Sequence, residues 1–271
     1  MSESLQFLQW HTAKALHQVQ LLSCDFVVFT RWMIPDMRAP FWRLFWHDRP
    51  GVFLEIEGQR RPVPAKRFVL IPPHTPLACG NTAIFGQLFM HFRLEPGLAG
   101  RRGSVYFAQP DAALDRLAVA LRESLQTDTT TLDVSLRAQA LLSLVLLAVP
   151  DSHWAPRWED ARITAAAAAI RSAYPHKLAN KALAHDAGLH PGAFIRLFRQ
   201  TTGHTPGEFL ANLRLEEACV LLHYSELSID EVAAKIGFAD RGYFSRQFAS
   251  RIGIPPARYR KLVNSDNRLR R

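Results

Sequence analysis

The sequence predicts an α+β fold in which a strand-rich first part precedes an all-α last part. Three observations lead to this prediction. Short apolar segments alternate with turn residues between about Leu21 and Pro96. Apolar residues then recur at helical spacing from Asp111 to Val149, and one helical pattern occurs twice after residue 159. A chain of 271 residues is long enough for two domains of ordinary size.

The strand-rich part is predicted to be an antiparallel sandwich or barrel, because its short strands follow one another with only turns between them. Turn signals such as Asp48-Arg49-Pro50-Gly51 and Pro72-Pro73 separate the apolar segments. The predicted strands are Phe26–Thr30, Phe41–Trp46, Val52–Ile56, Phe68–Ile71 and Ile84–Phe92.

Two helices are predicted next, with a break at Thr127–Thr131. Two interpretations of the Leu-rich second helix, Leu132–Val149, stay open: it forms a dimer, or its leucines pack only against their own barrel. Pro150–Trp158 contains two prolines and two tryptophans and is interpreted as a linker. The longest apolar run, Ala140–Val149, is shorter than the roughly 20 residues that span a bilayer, so no membrane contact is expected.

Charge and cysteine content restrict the partners and the compartment. The net charge is +9, and residues 175–271 hold 15 Lys and Arg against 9 Asp and Glu. A basic region of this kind is attracted to polyanions. The three cysteines are widely spaced and form no C-x-x-C pair, which favours a reducing, cytoplasmic location.

The strongest signal is an internal repeat, in which Leu178–Pro206 resembles Leu227–Pro256. Each copy has a small residue, then glycine four positions later, then an i, i+4 pair of phenylalanines. Glycine suits a left-handed helix cap, and the phenylalanines would bury one face of a second helix. The matched residues are Ala184 with Ala233, Gly188 with Gly237, Phe194 with Phe244, Arg196 with Arg246 and Phe198 with Phe248.

Two helices joined by such a turn form a helix-turn-helix, whose second helix can enter the major groove of DNA. Between the copies, Pro206–Tyr224 is predicted to be one long helix that separates the two units by about one DNA turn, ~34 Å. The alternative is a helical bundle used only for protein contacts. Two copies, a basic balance and arginine at the same place in both favour DNA.

The repeat and its surroundings resemble the AraC/XylS family of transcription regulators, over about Ile163 to Lys261. The residues that carry the resemblance are Leu213-Arg214-Leu215-Glu216-Glu217-Ala218, Leu221-Leu222, Ser228-Ile229, Ala233, Gly237-Phe238, Tyr243-Phe244, Phe248, Gly253, Pro256 and Tyr259-Arg260-Lys261. Members activate or repress bacterial promoters. The resemblance implies an N-terminal cupin-like antiparallel β-barrel with dimerisation helices, and a C-terminal all-α domain with two helix-turn-helix motifs.

The implied domains are a cupin-like effector-sensing domain at 1–110, a helical dimerisation segment at 111–150, a linker at 151–158 and an AraC-type DNA-binding domain at 159–265. The expected partners are double-stranded promoter or operator DNA, a small-molecule effector, RNA polymerase and a second copy of the chain. No cofactor is expected.

The residues expected to contact DNA lie on the second helix of each unit. By resemblance they are Gly192, Ile195, Arg196, Arg199, Arg241, Gly242, Ser245 and Arg246. Arginine can bond guanine O6 and N7 together, so Arg196 and Arg246 are expected to read bases. The alternative is that the arginines touch only phosphates. Family members often carry a larger side chain where Gly192 stands, so direct readout by the first unit is expected to depend on Arg196.

A ligand pocket is expected in the barrel, because Phe41–His47 is rich in aromatic residues. Strand alternation puts Trp42, Leu44 and Trp46 on one face and Phe41, Arg43 and Phe45 on the other, while Gln87, Phe89 and His91 share a face of the last strand. A sugar-like or organic-acid effector is expected; the alternative is that these side chains form an ordinary core. The candidate effector residues are Trp42, Arg43, Trp46, His74, Gln87 and His91.

An enzyme is the alternative from another class, and it is disfavoured. Metal-dependent cupins use a His-x-His pair, which the eleven histidines do not contain. His74 and His91 are the only plausible barrel ligands, and two ligands rarely suffice for a catalytic metal. The predicted function is sequence-specific transcription regulation controlled by a small molecule. A regulator whose N-terminal domain binds another protein is the second possibility.

Overall fold

A computed structural model of the protein describes residues 19–34, 38–94, 104–109, 111–127, 131–154, 158–176 and 178–267. Most of the predicted break between the two first helices and residues 155–157 of the predicted linker lie outside these ranges. No helix in the described ranges is long and apolar enough to cross a membrane.

In the N-terminal part, the described strands form two antiparallel sheets. The strands are β1 (Val19–Phe29), β2 (Met33–Ile34), β3 (Trp42–His47), β4 (Val52–Ile56), β5 (Gln59–Val63), β6 (Val69–Ile71), β7 (Ala78–Asn81), β8 (Phe85–Leu94) and β9 (Tyr106–Phe107). One sheet has the order β1-β8-β3-β6-β9 and the other β2-β7-β4-β5. All five predicted strands are present, and the short strands β2, β5, β7 and β9 were missed.

The expected barrel is not found, because the described strands do not close into one continuous sheet. They form a sandwich with side chains such as Phe45, Leu54 and Phe89 packed between the two sheets. The outer face of the five-stranded sheet is also apolar, since Trp42, Leu44 and Trp46 cover it with a second core. Two helices, α1 (Ala112–Gln126) and α2 (Thr131–Leu147), pack on that second core.

The described residues of the C-terminal part form seven helices: α3 (Ala161–Ser172), α4 (Asn180–Asp186), α5 (Pro191–Thr202), α6 (Pro206–Tyr224), α7 (Ile229–Lys235), α8 (Arg241–Ile252) and α9 (Pro256–Asn267). A turn of 3-10 helix, Asp151–His153, precedes them. The long helix predicted between the repeats is α6, which begins with a capping box of Thr205 and Glu208. With 19 residues it is about 28 Å long.

Each copy of the repeat forms the predicted pair of helices around its own core. Phe194 and Phe198 of α5 are fully buried in the first core, and Phe244 and Phe248 of α8 in the second. Helix α6 contributes Leu213 to the first core and four residues to the second, namely Leu215, Ala218, Cys219 and Leu222. The two units are therefore attached to a single helix that fixes their spacing.

The predicted glycine turns are confirmed in both units. Gly188 has φ +65° and Gly237 has φ +85°, which is the left-handed region that favours glycine. The next residue in each unit closes the turn: Leu189 N–H donates to the Ala184 carbonyl at 2.8 Å, and Phe238 N–H donates to that of Ala233 at 2.9 Å. The two units thus share one local geometry.

Candidate DNA-binding surface and effector pocket

The candidate DNA-binding residues lie on α5 and α8, the second helices of the two units. Burial of the phenylalanine pairs leaves the opposite faces of these helices accessible. Arg196 and Arg199 are exposed on α5, and Arg241 and Arg246 are exposed on α8. The other four predicted residues, Gly192, Ile195, Gly242 and Ser245, are half-buried beside them.

An ion pair within its own helix-turn-helix unit holds one of these arginines, Arg241. Arg241 donates to the Asp230 carboxylate of α7 at 3.0 Å, so this side chain is already directed by an ion pair within its own unit. Both partners are well exposed, so the pair contributes little to stability.

A cavity lies between the two sheets at the end that faces the helical part. Its volume is about 650 Å³, including the space that opens to solvent. Three pairs of neighbouring residues on β3 and β8 form this end of the five-stranded sheet: Phe45 with Phe89, Arg43 with His91, and His47 with Gln87. The lining of the cavity is mostly apolar and consists of Val27, Phe29, Trp32, Ile34, Ala39, Phe41, Phe45, Cys79 and Phe89. The polar side chains in the lining are Arg43, Gln87, His91, His223 and Tyr259.

Arg43 is the charged group of this cavity. Its side chain is 4% exposed, and its Nη2 donates to the Thr75 carbonyl at 3.2 Å. Gln87 is 3% exposed and lies opposite His47 on the neighbouring strand. A buried guanidinium and a buried amide in an aromatic lining are suited to an acidic or polar group on an otherwise apolar ligand.

Two lining residues, His223 and Tyr259, come from the helical part and were not found by sequence reasoning. Tyr259 is fully buried, and burial raises the pKa of its hydroxyl well above the ordinary value, so the group stays protonated. Tyr259 also packs in the core of the second helix-turn-helix unit, together with Phe41 of the N-terminal part. The cavity is therefore walled by both parts of the protein.

Polar contacts fasten the same end of the sandwich to α6. Tyr224 Oη lies 2.7 Å from His91 Nδ1 and 2.6 Å from Ser23 Oγ. Arg93 donates to Glu217 at 2.5 Å. His74 Nε2 lies 3.6 Å from Glu216 Oε1, which is ion-pair distance if the histidine is protonated.

Arg43, Gln87 and His91 line this cavity, whereas the other three predicted effector residues do not. Trp42 and Trp46 lie on the opposite face of β3, where Trp46 Nε1 donates to Asp115 of α1 at 3.1 Å. His74 lies at the contact with α6 instead. Alternation predicted the two faces correctly, but both faces are buried, so it could not tell which one borders the cavity.

The described residues contain no group of three or more His, Cys, Asp or Glu side chains that could hold a metal ion. His47 is fully buried beside the cavity wall, and burial lowers its pKa to about 4, so its imidazole is neutral near pH 7. The arrangement as a whole is that of a mostly apolar cavity next to a helical domain.

The two helix-turn-helix units, with arginines exposed on their second helices, define a DNA-binding protein of the helix-turn-helix class. A family model described as a helix-turn-helix domain matches residues 183–262. An HTH-type transcriptional regulator of Haemophilus influenzae is 32% identical over 106 residues, covering 39% of this chain and 36% of the relative. The HTH-type transcriptional activator RhaR of Cronobacter sakazakii is 44% identical over 66 residues, covering 24% of this chain and 23% of the relative.

The matched part of the chain is a helix-turn-helix domain of the AraC type. Its match spans between about a quarter and two fifths of the length of these curated relatives. The relatives named here are regulators of transcription, in agreement with the prediction that the chain is not an enzyme.

The whole fold is similar to that of ToxT from Vibrio cholerae, with a TM-score of 0.58 at 10% identity, covering 89% of this chain and 97% of ToxT. A second ToxT structure, described as bound to an unsaturated fatty acid, has a TM-score of 0.55 at 14% identity and covers 92% of this chain and 97% of that one. The fold likeness therefore extends over both the sandwich and the helical domain.

Proposed function

We propose that this protein is a sequence-specific regulator of transcription whose binding to promoter DNA is controlled by a small molecule held in the cavity. One observation carries the proposal: the cavity contains a buried Arg43 and is walled by His223 and Tyr259 of the DNA-binding domain. A pocket shared by a sensing part and a DNA-binding part can transmit occupancy directly. The protein would act in the bacterial cytoplasm, where the chromosome lies.

The cavity chemistry favours an apolar organic acid over a sugar. A sugar needs several hydrogen-bonding partners for its hydroxyl groups, whereas this lining is mostly aliphatic and aromatic. A carboxylate would pair with the Arg43 guanidinium, and its hydrocarbon part would contact Phe41, Phe45 and Phe89. The fatty acid bound to ToxT, a protein of the same fold, supports this class of ligand.

The ligand would act by favouring one arrangement of the two parts. A molecule that touches both Arg43 and Tyr259 binds well only while the sandwich and the helical domain are in contact. It can therefore shift the population of arrangements by as much as its affinities for them differ. Helix α6 would transmit this change to the DNA-binding units. It carries Tyr224 and Glu217 at the contact with the sandwich, and both helix-turn-helix units pack against it.

On DNA, the proposal assigns base readout to Arg196 and Arg246, with Ile195 and Ser245 beside them and Arg199 and Arg241 near phosphates. The equivalent positions of the two arginines, 50 residues apart, and their exposure support this assignment.

A homodimer is proposed through α2, which exposes an apolar stripe. Leu132 is 68% exposed, Leu136 62%, Leu144 47% and Leu147 82%. Covering apolar side chains of this size on one helix face is favourable: it lowers the free energy by roughly 25 cal/mol per Å² of buried apolar surface. The other side of α2, with Leu141, Leu142 and Val145, packs on the sandwich, which leaves the stripe free for a second copy. We also propose RNA polymerase as a partner, because the helix-turn-helix domain resembles those of AraC-type transcription regulators.

Thermal unfolding tests the sensor proposal. The purified protein is heated with aliphatic and aromatic monocarboxylic acids, with the corresponding primary amides, and with sugars. We expect stabilisation by acids and not by their amides. At a ligand concentration 100 times Kd the gain is about 2.7 kcal/mol, several degrees in Tm.

Two arginine variants complete this test. Arg43→Met should abolish the response to acids, whereas Arg60→Met, on the exposed strand β5, should retain it. Equal responses to acids and amides, or an undiminished response in Arg43→Met, would contradict the ligand class. DNA binding measured with and without a stabilising acid then tests the coupling, and unchanged affinity would contradict it.

A further inference from the structure

Arg214 on α6 binds the backbone of both helix-turn-helix units at once. Its Nε donates to the Tyr174 carbonyl at 2.8 Å, and its Nη2 donates to the His176 carbonyl at 3.0 Å. Both carbonyls belong to the segment between α3 and α4, which leads into the first unit. The Nη1 group donates to the carbonyl of Gly237, in the turn of the second unit, at 3.0 Å. All three nitrogen atoms of the guanidinium therefore join one unit to the other.

The backbones of the two units also touch directly at this point. A Cβ atom on Gly237 would lie 2.2 Å from the Pro175 carbonyl oxygen, so the chain that leads into the first unit packs on the turn of the second. The Tyr174 side chain is partly buried against the cores of both units. Residues 174–176, Arg214 and Gly237 thus form a seam between the two units, in addition to their attachment to α6.

Helix α6 by itself holds the two units together mainly by apolar packing. Leu213 lies in the first core and Leu215 in the second, with Arg214 between them in the sequence. Apolar packing is not directional, so it holds each unit against α6 more strictly than it fixes the rotation of the unit about that helix. Hydrogen bonds are directional, and the donors of a guanidinium have a fixed geometry. Three such bonds at the seam, beside α6, therefore oppose rotation of one unit relative to the other.

Rotation between the units matters because the two DNA sequences that they read, the half-sites, lie on a helix. One base pair added between the half-sites moves the second one by ~3.4 Å and turns it by about 35° around the duplex. A rigid pair of units fits both half-sites at one spacing only. We infer that Arg214 is a positioning residue, which fixes the rotation of the second unit relative to the first and so restricts the half-site spacing that the protein accepts. This inference rests on the proposed readout of DNA by both units.

The test compares the affinity of the full-length protein for three duplexes. One is selected by the wild-type protein from a randomised DNA library, and the others have the half-sites one base pair closer together or farther apart. Arg214→Met keeps the apolar stem of the side chain and removes its donors, while Arg214→Lys keeps the charge on a single nitrogen atom. Val232→Ala, in the buried core of the second unit, is the control for lost stability. Each protein is measured at the same interval below its own Tm.

The wild-type protein should prefer the selected spacing by about tenfold, because a misplaced unit loses a base contact. Arg214→Met should reduce this preference to about twofold, since its units can rotate to meet either altered spacing. Arg214→Lys should lie between these values, and Val232→Ala should keep the wild-type preference. An undiminished preference in both Arg214 variants overturns the inference. An equal reduction in Val232→Ala also overturns it, because general loss of stability would then explain the effect.

A measurement without DNA separates this inference from the proposed readout. Nitroxide labels are attached at Asp186→Cys and Lys235→Cys, exposed residues at equivalent positions on α4 and α7. The background is Cys24→Ser, because the other two cysteines are buried. Pulsed electron resonance should give a measurably broader distribution of distances between the labels in Arg214→Met than with Arg214 intact. An unchanged distribution overturns the inference alone. Failure of the wild-type protein to enrich any DNA sequence overturns the proposed readout, whereas the labels still report whether Arg214 fixes the rotation.

Discussion

Replacement of Gly237 by alanine should destabilise the second helix-turn-helix unit far more than the equivalent change at Gly188 destabilises the first. Both glycines have a left-handed φ, so the backbone cost of alanine is similar at the two positions. Their surroundings differ. A Cβ atom on Gly188 would meet nothing within 4 Å, whereas one on Gly237 would lie 2.2 Å from the Pro175 carbonyl oxygen and 2.9 Å from Arg214 Nη2.

The expected magnitudes follow from these contacts. A left-handed alanine costs about 1–2 kcal/mol, and this is the whole cost expected for Gly188→Ala. In Gly237→Ala the new Cβ atom also pushes the Pro175 carbonyl and the Arg214 guanidinium away from the turn. Arg214 donates to the carbonyls of Tyr174 at 2.8 Å, His176 at 3.0 Å and Gly237 at 3.0 Å, and a hydrogen bond from a charged group contributes about 1.5–3 kcal/mol. Loss of one such bond brings the total cost to about 2.5–5 kcal/mol.

The measurement is urea unfolding of the full-length variants, combined with hydrogen exchange of the amides in α7 and α4. Gly237→Ala should lower the unfolding midpoint more than Gly188→Ala and should lower exchange protection in α7. Gly188→Ala should affect α4 alone. Equal losses for the two variants, or unchanged protection of α7 in Gly237→Ala, would refute the reasoning from close approach.

Three further predictions concern pH, assembly and readout. Because burial lowers the pKa of His47 to about 4, the unfolded state binds its proton at higher pH than the folded state does. Stability should therefore fall as the pH drops below about 6.5, by about 2 kcal/mol at pH 5. Urea midpoints at pH 7 and pH 5 measure this loss, which should be smaller in His47→Gln; an identical loss contradicts it. Leu136→Lys with Leu147→Lys should convert the proposed dimer to a monomer in sedimentation, whereas Val28→Lys on the sandwich should not; a dimer that survives the leucine changes places the interface elsewhere. Arg196→Ala should weaken binding to a duplex selected by the wild-type protein from a randomised DNA library about tenfold, and binding to random DNA much less; equal losses would assign this side chain to phosphates.

Local sequence patterns determined the helical domain almost completely. The glycine of each turn, the phenylalanine pair of each recognition helix and the capping residues of α6 depend on interactions within a few residues. Such interactions repeat in the sequence when the structure repeats. The alternation in β3 and β8 likewise predicted which side chains share a face. The exposed surfaces of α5 and α8 could therefore be deduced before the fold was known.

The sequence could not decide which of two apolar faces of β3 borders a cavity. Both faces are buried, one by the second sheet and one by α1 and α2, and hydrophobic pattern does not distinguish these coverings. Nor could it assign His223 and Tyr259 to the same cavity as Arg43, because the contact joins residues more than 150 positions apart. That arrangement depends on how the sandwich packs against α6 and α9, which is a property of tertiary structure alone.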